Sequence, residues 1–197
     1  MVKRNKTKIL LDERATEEWW RTRKIDWVEA YWTPEHCHRG QLMDVLNALE
    51  FDSVLELGCG AGANLSNLKD KYIAGIDINV DAIDTAKRML PHGMFKVGMA
   101  EDLDYPDKVI DLILTDACLI YVPPEKIKAT VKEMLRVARK YIVCCEWDND
   151  KNIFDGHWVY SYSKLFRDYE IKKTKIENWA GGWAKYGQII VVEVKDK

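Results

Sequence analysis

Short apolar runs alternate with helical patterns through the middle of the chain. Runs of strand length occupy 53–57, 72–76, 94–98, 109–114 and 141–145. Apolar residues with helical spacing fill 63–69, 79–90 and 123–137. Unbroken apolar runs are typical of buried parallel strands, and their alternation with helices is typical of crossover connections. The pattern therefore predicts a doubly wound α/β sheet.

Both ends of the chain depart from this alternation. At the start, Thr16 is suited to cap a helix over 16–28, and a second helix is predicted to begin at Pro34. The aromatic face of the first helix is too wide for a lone surface helix, so we expect these helices to cover the sheet. Near the end, strands are predicted at 169–177 and 188–194 after a polar loop and a short helix at 163–166. Because no helix joins those two strands, they should form an antiparallel hairpin at one edge.

A glycine-rich turn follows the first predicted strand. Gly58, Gly60 and Gly62 stand at alternate positions, and Asp77 ends the second strand 19 residues after Gly58. Glycine has no Cβ and accepts positive φ, so a ligand can approach the backbone of such a turn. An acid roughly 20 residues later is the spacing of a carboxylate that holds a ribose diol. The two features together predict a nucleoside-containing ligand.

With Glu56 in place, the turn reads Glu-x-Gly-x-Gly-x-Gly. This motif and the acid after it resemble the class I S-adenosylmethionine-dependent methyltransferases, and the similarity covers roughly residues 32–194. The resemblance is greatest to the generic small-molecule branch. It implies a Rossmann-like, seven-stranded sheet with five parallel strands, then a sixth strand and an inserted antiparallel seventh. It also implies S-adenosylmethionine as cofactor and S-adenosylhomocysteine as product.

The resemblance implies a set of cofactor-binding residues. They are Glu56, Gly58, Cys59, Gly60, Gly62, Asp77, Ile78, Met99, Ala100, Glu101 and Asp116. Ile78 and Leu103 are candidates for the adenine slot. Met99 stands where the third family motif commonly has an acid, so we expect the backbone near Ala100 or the Glu101 side chain to receive the adenine amine.

The candidates for proton removal from an acceptor are Asp116, His157 and Tyr160. Asp116 ends the fourth predicted strand, where open α/β sheets bind their ligands, although an acid that caps the following turn is the alternative. Cys118 is not expected to act as a nucleophile because no Cys/His arrangement supports it. We predict no metal site, since His36 and His38 are two residues apart and a helix would separate them.

Composition limits the classes of partner that this protein is expected to bind. The net charge of −2 gives no basic stripe for nucleic acid, and no apolar run approaches the roughly 20 residues that span a bilayer. The five cysteines are odd in number and form no C-x-x-C pair, which favours free thiols in a reducing, cytoplasmic compartment. Aromatic residues flank the predicted core, so we expect a small-molecule acceptor under an aromatic cover. The members of this predicted cover are Trp27, Tyr31, Trp32, His157, Trp158, Tyr160 and Tyr162.

Two other functions use the same turn. An NAD(P)-dependent reductase is one, and the antiparallel ending argues against it. A non-catalytic module that binds S-adenosylmethionine is the other. In each case we predict a flexible tail over 1–14 and one domain over 15–197. That domain comprises N-terminal helices (15–50), a cofactor-binding core (51–146) and a substrate-side segment with the terminal hairpin (147–197).

Overall fold

The computed structural model describes residues 16–33, 38–177 and 181–194. The predicted tail, the helix start at Pro34, and His36 and Cys37 lie outside these ranges. The helices are α1 (Glu17–Thr22), α2 (Trp27–Tyr31), α3 (His38–Asn47), α4 (Val80–Met89), α5 (Pro124–Val137), α6 (Tyr162–Leu165) and α7 (Gly181–Tyr186). The strands are β1 (Ser53–Leu57), β2 (Tyr72–Asp77), β3 (Met94–Val97), β4 (Ile110–Asp116), β5 (Ala138–Trp147), β6 (Asn152–Phe154), β7 (His157–Val159), β8 (Glu170–Lys175) and β9 (Gly187–Glu193).

Seven strands form one twisted sheet in the order β3-β2-β1-β4-β5-β9-β8. The first five are parallel, whereas β9 runs antiparallel to both β5 and β8 and lies between them. The strand order reverses direction at β1 and β4, where a doubly wound sheet opens a crevice beyond its carboxyl edge. The predicted fold, including the inserted antiparallel strand, is confirmed. The prediction that no helix joins the last two strands is wrong, because the short helix α7 lies between β8 and β9.

Each face of the sheet is covered by its own apolar cluster. One face packs Leu55 and Ile113 against α5, and the other packs Val54 and Leu112 against α3 and α4. Side chains alternate between the two faces along a strand, so both sets of positions in a doubly covered strand must be apolar. This explains why β1 and β4 have almost unbroken apolar sequences.

The N-terminal helix predicted over 16–28 is two helices. Thr16 begins α1 as predicted, since its Oγ1 accepts a hydrogen bond from the Trp19 amide. Arg23 is extended, with ψ 128°, and ends α1. Asp26 then begins α2, because its carboxylate accepts from the amides of Val28 and Glu29. The capping carboxylate at Asp26 is the sequence signal for this break.

The helix predicted over 63–69 is only a 3-10 turn at Leu65–Asn67. The buried side chain of Asn64, directly before it, is held by Glu56 and Asp116 instead of extending a helical surface. A short polar side chain with partners elsewhere competes with regular helix at this position.

The segment predicted as a loop over 148–157 contains the hairpin β6–β7. Asp155 and Gly156 both have positive φ, at 47° and 74°, and form its two-residue turn. Asp-Gly is a strong signal for such a turn, so the sequence did contain the information. The hairpin matters for function because its second strand begins with His157.

The described cysteines, Cys59, Cys118, Cys144 and Cys145, are free thiols, as predicted. Within the described ranges, no helix has the length and apolar character that crossing a bilayer requires.

Candidate functional site

A cavity of about 410 Å³ opens at the carboxyl ends of the parallel strands. Its lining includes Glu56 from β1, Asp77 from β2, Asp116 from β4 and Trp147 from β5. The strand register sets this arrangement, because the carboxyl ends of neighbouring parallel strands meet at one edge of the sheet. The cavity therefore lies at the switch point that the strand order creates.

The three glycines of the turn have different roles. A Cβ on Gly58 would lie 2.6 Å from the Cys118 sulfur, and one on Gly62 would lie 2.9 Å from Leu90. These two glycines let the turn pack against the protein itself. A Cβ on Gly60 would meet only the Trp27 ring, at 3.9 Å, so Gly60 leaves open the space between the turn and that ring. All three have positive φ.

Asp77 is held in place by the backbone beside it. Its carboxylate accepts hydrogen bonds of 2.9 Å from the amides of Gly60 and Asn79. Burial raises the pKa of Asp77, and the amides of Asn79, Gly60 and Ile78 partly offset that rise. The glycine turn and the acid thus form one rigid unit. We call Glu56, Gly60 and Asp77 the turn end of the cavity.

A chain of polar side chains lies beneath the turn. The Asn64 amide nitrogen donates to Glu56 Oε1 at 2.7 Å and to Asp116 Oδ2 at 2.9 Å. His38 Nε2 is 2.8 Å from the same Asp116 oxygen, and the Arg39 guanidinium donates to Asn64 Oδ1 at 2.8 Å. One asparagine therefore connects two acids, from β1 and β4, with an arginine and a histidine at the start of α3.

The two acids of this chain differ in charge. Burial raises the pKa of Glu56 to about 8, despite the hydrogen bond from Asn64. Burial would also raise the pKa of Asp116, but the hydrogen bond and charge of His38, with the Asn64 amide, lower it below its usual value. At neutral pH Glu56 is mostly protonated and Asp116 is ionised.

The N-terminal helices cover one side of the cavity. Trp20, Trp27 and Tyr31 line it, and the Trp27 and Tyr31 rings stack with centroids 5.6 Å apart. Asn79 attaches this cover to the sheet: its amide nitrogen donates to the carbonyls of Trp20 and Arg23, while its Oδ1 caps α4. Because Asn79 follows Asp77 by two residues, the cover is tied to the turn end.

A row of aromatic rings also lines the cavity and begins at Trp20 of the N-terminal cover. From α1 to α3, its members in spatial order are Trp20, Tyr121, His157, Trp147, Trp183 and His38, and we call them the aromatic wall. Successive ring centroids are 4.7 to 6.1 Å apart. Such separations are typical of directly packed aromatic pairs. The wall ends at the His38–Asp116 hydrogen bond.

His157 is held in a defined tautomer within this wall. Its Nδ1 lies 2.6 Å from the Asp155 carbonyl oxygen. A carbonyl can only accept, so Nδ1 carries a proton, and in the neutral ring the lone pair is then on Nε2. This arrangement makes His157 a proton acceptor that lines the cavity.

Glu146 positions the loop that contributes Tyr121. Its Oε1 accepts hydrogen bonds of 2.9 Å from the amides of Cys118 and Leu119. Burial raises its pKa to about 7, and the two amides limit that rise. Glu146, near the end of β5, thereby holds the turn that follows β4 in place.

Comparison with known proteins assigns this fold. A methyltransferase-domain family model matches residues 54–141. This match covers most of the predicted cofactor-binding core and places that segment among methyltransferase domains. Ajmaline N-methyltransferase of Rauvolfia serpentina is 30% identical over 95 residues, which are 44% of this chain and 32% of that protein. This chain spans between 32% and 42% of the length of the curated relatives it matches.

Two solved structures illustrate the shared fold. An S-adenosylmethionine-dependent methyltransferase from Methanosarcina mazei has a TM-score of 0.63 at 21% identity, covering 76% of this chain and 96% of its own. The magnesium protoporphyrin IX methyltransferase of Synechocystis PCC 6803, with bound S-adenosylhomocysteine, has a TM-score of 0.67 at 13% identity, covering 91% and 98%. At these identities the likeness concerns the fold.

The residues at the turn end fit a sulfonium nucleoside. Gly60 leaves room for a ligand, and Asp77 offers a fixed carboxylate of the kind that binds a ribose diol. Glu56 Oε2 is buried without a hydrogen-bond partner among the described residues. A buried oxygen of this kind is costly unless a ligand group satisfies it. The donor set is therefore compatible with S-adenosylmethionine.

The chemistry of the polar chain argues against a metal at the same place. His38, Asp116 and Cys145 each offer one ligand atom, and these atoms lie within 4.8 Å of one another. However, the Asp116 oxygen that faces His38 also accepts an N–H from Asn64. A cation at that oxygen would have to displace this amide donor, so we interpret the group as a hydrogen-bonded cluster.

Most of the residues proposed from the sequence line the cavity. They are Glu56, Gly58, Cys59, Gly60, Asp77, Ile78, Met99, Ala100, Glu101, Asp116 and His157. Glu101 is also paired with Lys126, at 2.7 Å. Trp27 and Tyr31 from the predicted cover lie there too.

Other predicted residues are absent from the described lining. Gly62 faces Leu90 inside the protein, and Leu103 belongs to the core beside α5. Tyr160 donates its hydroxyl hydrogen to the Val122 carbonyl at 2.5 Å, and burial raises the pKa of that phenol. Trp32 donates to the Ala61 carbonyl, and Tyr162 is fully buried in the core. Trp158 also lies outside the lining.

The sequence reasoning missed three of the five residues of the polar chain and most of the aromatic wall. Residues that line the cavity without being proposed include His38, Arg39, Asn64, Trp20, Trp147 and Trp183. Asn64, in the loop directly after the third glycine, was a readable signal for a polar partner of Glu56. The wall had no comparable signal, because its members come from six separate segments of the chain.

Proposed function

We propose that this protein transfers a methyl group from S-adenosylmethionine to a small-molecule acceptor. The observation that carries the proposal is that one cavity joins the turn end to the aromatic wall. A donor held at the turn end would present its reactive carbon toward residues that can surround a second molecule. Positioning of this kind can supply a large part of a displacement reaction's rate.

Each residue has a role in this proposal. Asp77 holds the ribose hydroxyls, Gly60 lets the nucleoside approach the backbone, and Glu56 satisfies a polar group of the donor. When bound, S-adenosylmethionine supplies an activated methyl group on a positively charged sulfur. The aromatic wall excludes water, and His157 Nε2 accepts a proton from the acceptor.

The charge and lining of the cavity support a small-molecule acceptor. Six acidic side chains and a single arginine line it among the described residues, which is unsuited to a phosphate backbone. One relative is named for ajmaline and one structural neighbour for magnesium protoporphyrin IX, which are both small molecules. The cytoplasmic location and the single-domain division of the chain stay predictions from the sequence.

Calorimetry with S-adenosylmethionine, S-adenosylhomocysteine, NAD and NADP tests the donor. We expect binding of the first two and none of the dinucleotides. A preference for NAD or NADP would overturn the proposal in favour of a reductase.

Labelling of a cell extract with radioactive S-adenosylmethionine tests the acceptor. We expect label in the low-molecular-weight fraction, and label confined to protein or RNA would overturn the small-molecule claim. The variant His157→Gln should bind the donor normally and lose at least a hundredfold in methyl transfer, since general bases typically contribute about 10²–10⁴-fold. Donor binding without transfer by the wild-type protein to any fraction would indicate a non-catalytic binding module.

A further inference from the structure

The aromatic wall differs from an ordinary apolar pocket because ionised groups accompany it. The acidic residues that line the cavity are Glu17, Glu56, Asp77, Glu101, Asp116 and Asp155. Arg39 is the one lysine or arginine among the described lining residues. Its guanidinium donates to Asn64 and to the carbonyls of Thr33 and Tyr31, so those protein groups occupy its donors.

Several of these acids already have partners or are neutral. Lys126 pairs with both Glu17 and Glu101 near the cavity rim. Glu56 is largely protonated at neutral pH, for the reason given above. The other three acids have no lysine or arginine partner among the described residues. Asp77 lies at the turn end, Asp116 lies at the inner end of the aromatic wall beside His38, and Asp155 lies in the tight turn that leads to His157.

Aromatic faces and carboxylates attract the same kind of ligand. The negative face of an indole or phenol ring attracts an organic cation, and the attraction is larger where water is excluded. A buried carboxylate at the end of the same surface adds a Coulomb attraction for cations and repels anions. A neutral ligand would gain from apolar contact alone.

We infer that the acceptor of this site is an amine that binds to the aromatic wall as its ammonium ion. The inference rests on the proposed function and names its substrate class. Before methyl transfer, one N–H bond of the ammonium breaks, the electron pair stays on nitrogen, and the proton binds the lone pair of His157 Nε2. The neutral amine then has the lone pair that a displacement requires, and His157 carries the positive charge beside Asp155.

Matched probes separate charge from shape. We would titrate 2-phenylethylamine, 2-phenylethanol and 3-phenylpropionate into the protein saturated with S-adenosylhomocysteine, whose sulfur is neutral, and follow tryptophan fluorescence and heat. The ammonium probe should bind at least tenfold more tightly than the alcohol, and the carboxylate should not bind measurably. Equal affinities, preference for the alcohol or carboxylate, or no binding by any of the three would overturn the inference.

Two tyrosine variants locate the binding. Tyr121→Leu removes a ring from the middle of the aromatic wall, whereas Tyr72→Leu removes a ring that is 82% exposed on β2. The first should lower ammonium affinity at least fivefold and the second should leave it unchanged, with similar melting temperatures. An equal response of the two variants would place the binding elsewhere.

Asp116→Asn tests the charge at the inner end. It should reduce the preference for ammonium over alcohol to less than threefold. If this variant unfolds, the tyrosine pair still decides the location. A separate titration of the wild-type protein with S-adenosylmethionine distinguishes the proposed function from this inference. Absence of donor binding contradicts the proposed function, whereas donor binding without a preference for the ammonium probe contradicts this inference alone.

Discussion

The turn end and the aromatic wall line one cavity, but they are built in different ways. The turn end is local in sequence: Glu56, Gly60 and Asp77 span 22 residues, and two backbone amides fix the acid. The wall is assembled from Trp20 at one end of the chain to Trp183 near the other. The turn end thus depends on backbone conformation, and the wall depends on side-chain packing across the whole fold.

This difference predicts different sensitivities to mutation. A substitution at the turn end should abolish or weaken donor binding while the fold stays intact. A substitution in the wall should spare the donor and alter recognition of the acceptor. The following predictions test that division, beginning with the largest expected effect.

Gly60→Val should abolish S-adenosylmethionine binding. Gly60 has a φ of 51°, and a valine side chain there would fill the space between the turn and the Trp27 ring. Calorimetry gives the affinity, and circular dichroism checks the fold. Gly40→Val is the matched control, since an added Cβ at that exposed helical position meets nothing within 4 Å. Normal donor binding by the Gly60 variant would mean that the turn is only structural.

Asp77→Ala should weaken donor binding by at least tenfold. A hydrogen bond to a charged group typically contributes roughly 1.5–3 kcal/mol, and each 1.4 kcal/mol is about a factor of ten. The alanine variant also leaves the Gly60 amide without its acceptor. Asp77→Asn keeps one oxygen in place, so its calorimetric affinity should fall between those of the wild-type protein and the alanine variant. Unchanged affinity in a folded alanine variant would remove Asp77 from the donor site.

Glu56 should make the free energy of unfolding fall as the pH rises. Its pKa of about 8 in the folded protein is above the unfolded value, so between these values the folded state holds a proton that the unfolded state has lost. Each pH unit in that window lowers stability by about 1.4 kcal/mol. Glu56→Gln lacks this proton but keeps an oxygen for Asn64.

Chemical denaturation at pH 6.5 and 7.5 measures this effect. The stability of the wild-type protein relative to Glu56→Gln should decline by roughly 1 kcal/mol over that step, because a group with a pKa of about 8 begins to ionise by pH 7.5. Glu146 titrates in both proteins, so it does not contribute to the difference. A constant difference between the two proteins would show that Glu56 is already ionised at pH 6.5.

Tyr160→Phe should have the smallest effect. It removes the hydrogen bond to the Val122 carbonyl, which is worth about 0.5–1.5 kcal/mol of stability. Donor affinity and methyl transfer should stay within a factor of about three, because Tyr160 is not among the described residues that line the cavity and its hydrogen bond stabilises the fold. A large loss of methyl transfer with an unchanged melting temperature would mean that Tyr160 takes part in catalysis.

The sequence alone determined the fold and the turn end of this protein. Apolar runs at strand length indicated which segments are buried, and the family resemblance implied the antiparallel insertion, although the short helix α7 joins the last two strands where the sequence predicted none. The glycines and Asp77 were readable because a turn of this kind needs particular residues at particular backbone positions. Such constraints act over a few residues, so a single sequence displays them.

Only the tertiary structure decided the rest of the site. His38 and Asp116 are 78 residues apart and meet because α3 packs beside the end of β4. Trp147 and Trp183 meet because β5 and α7 are neighbours, and the same packing leaves Tyr160 pointing at a carbonyl. Nothing in the local pattern distinguishes a ring that lines a cavity from one that fills the core, since both are apolar and aromatic. That distinction depends on which face of each element the packed sheet leaves uncovered.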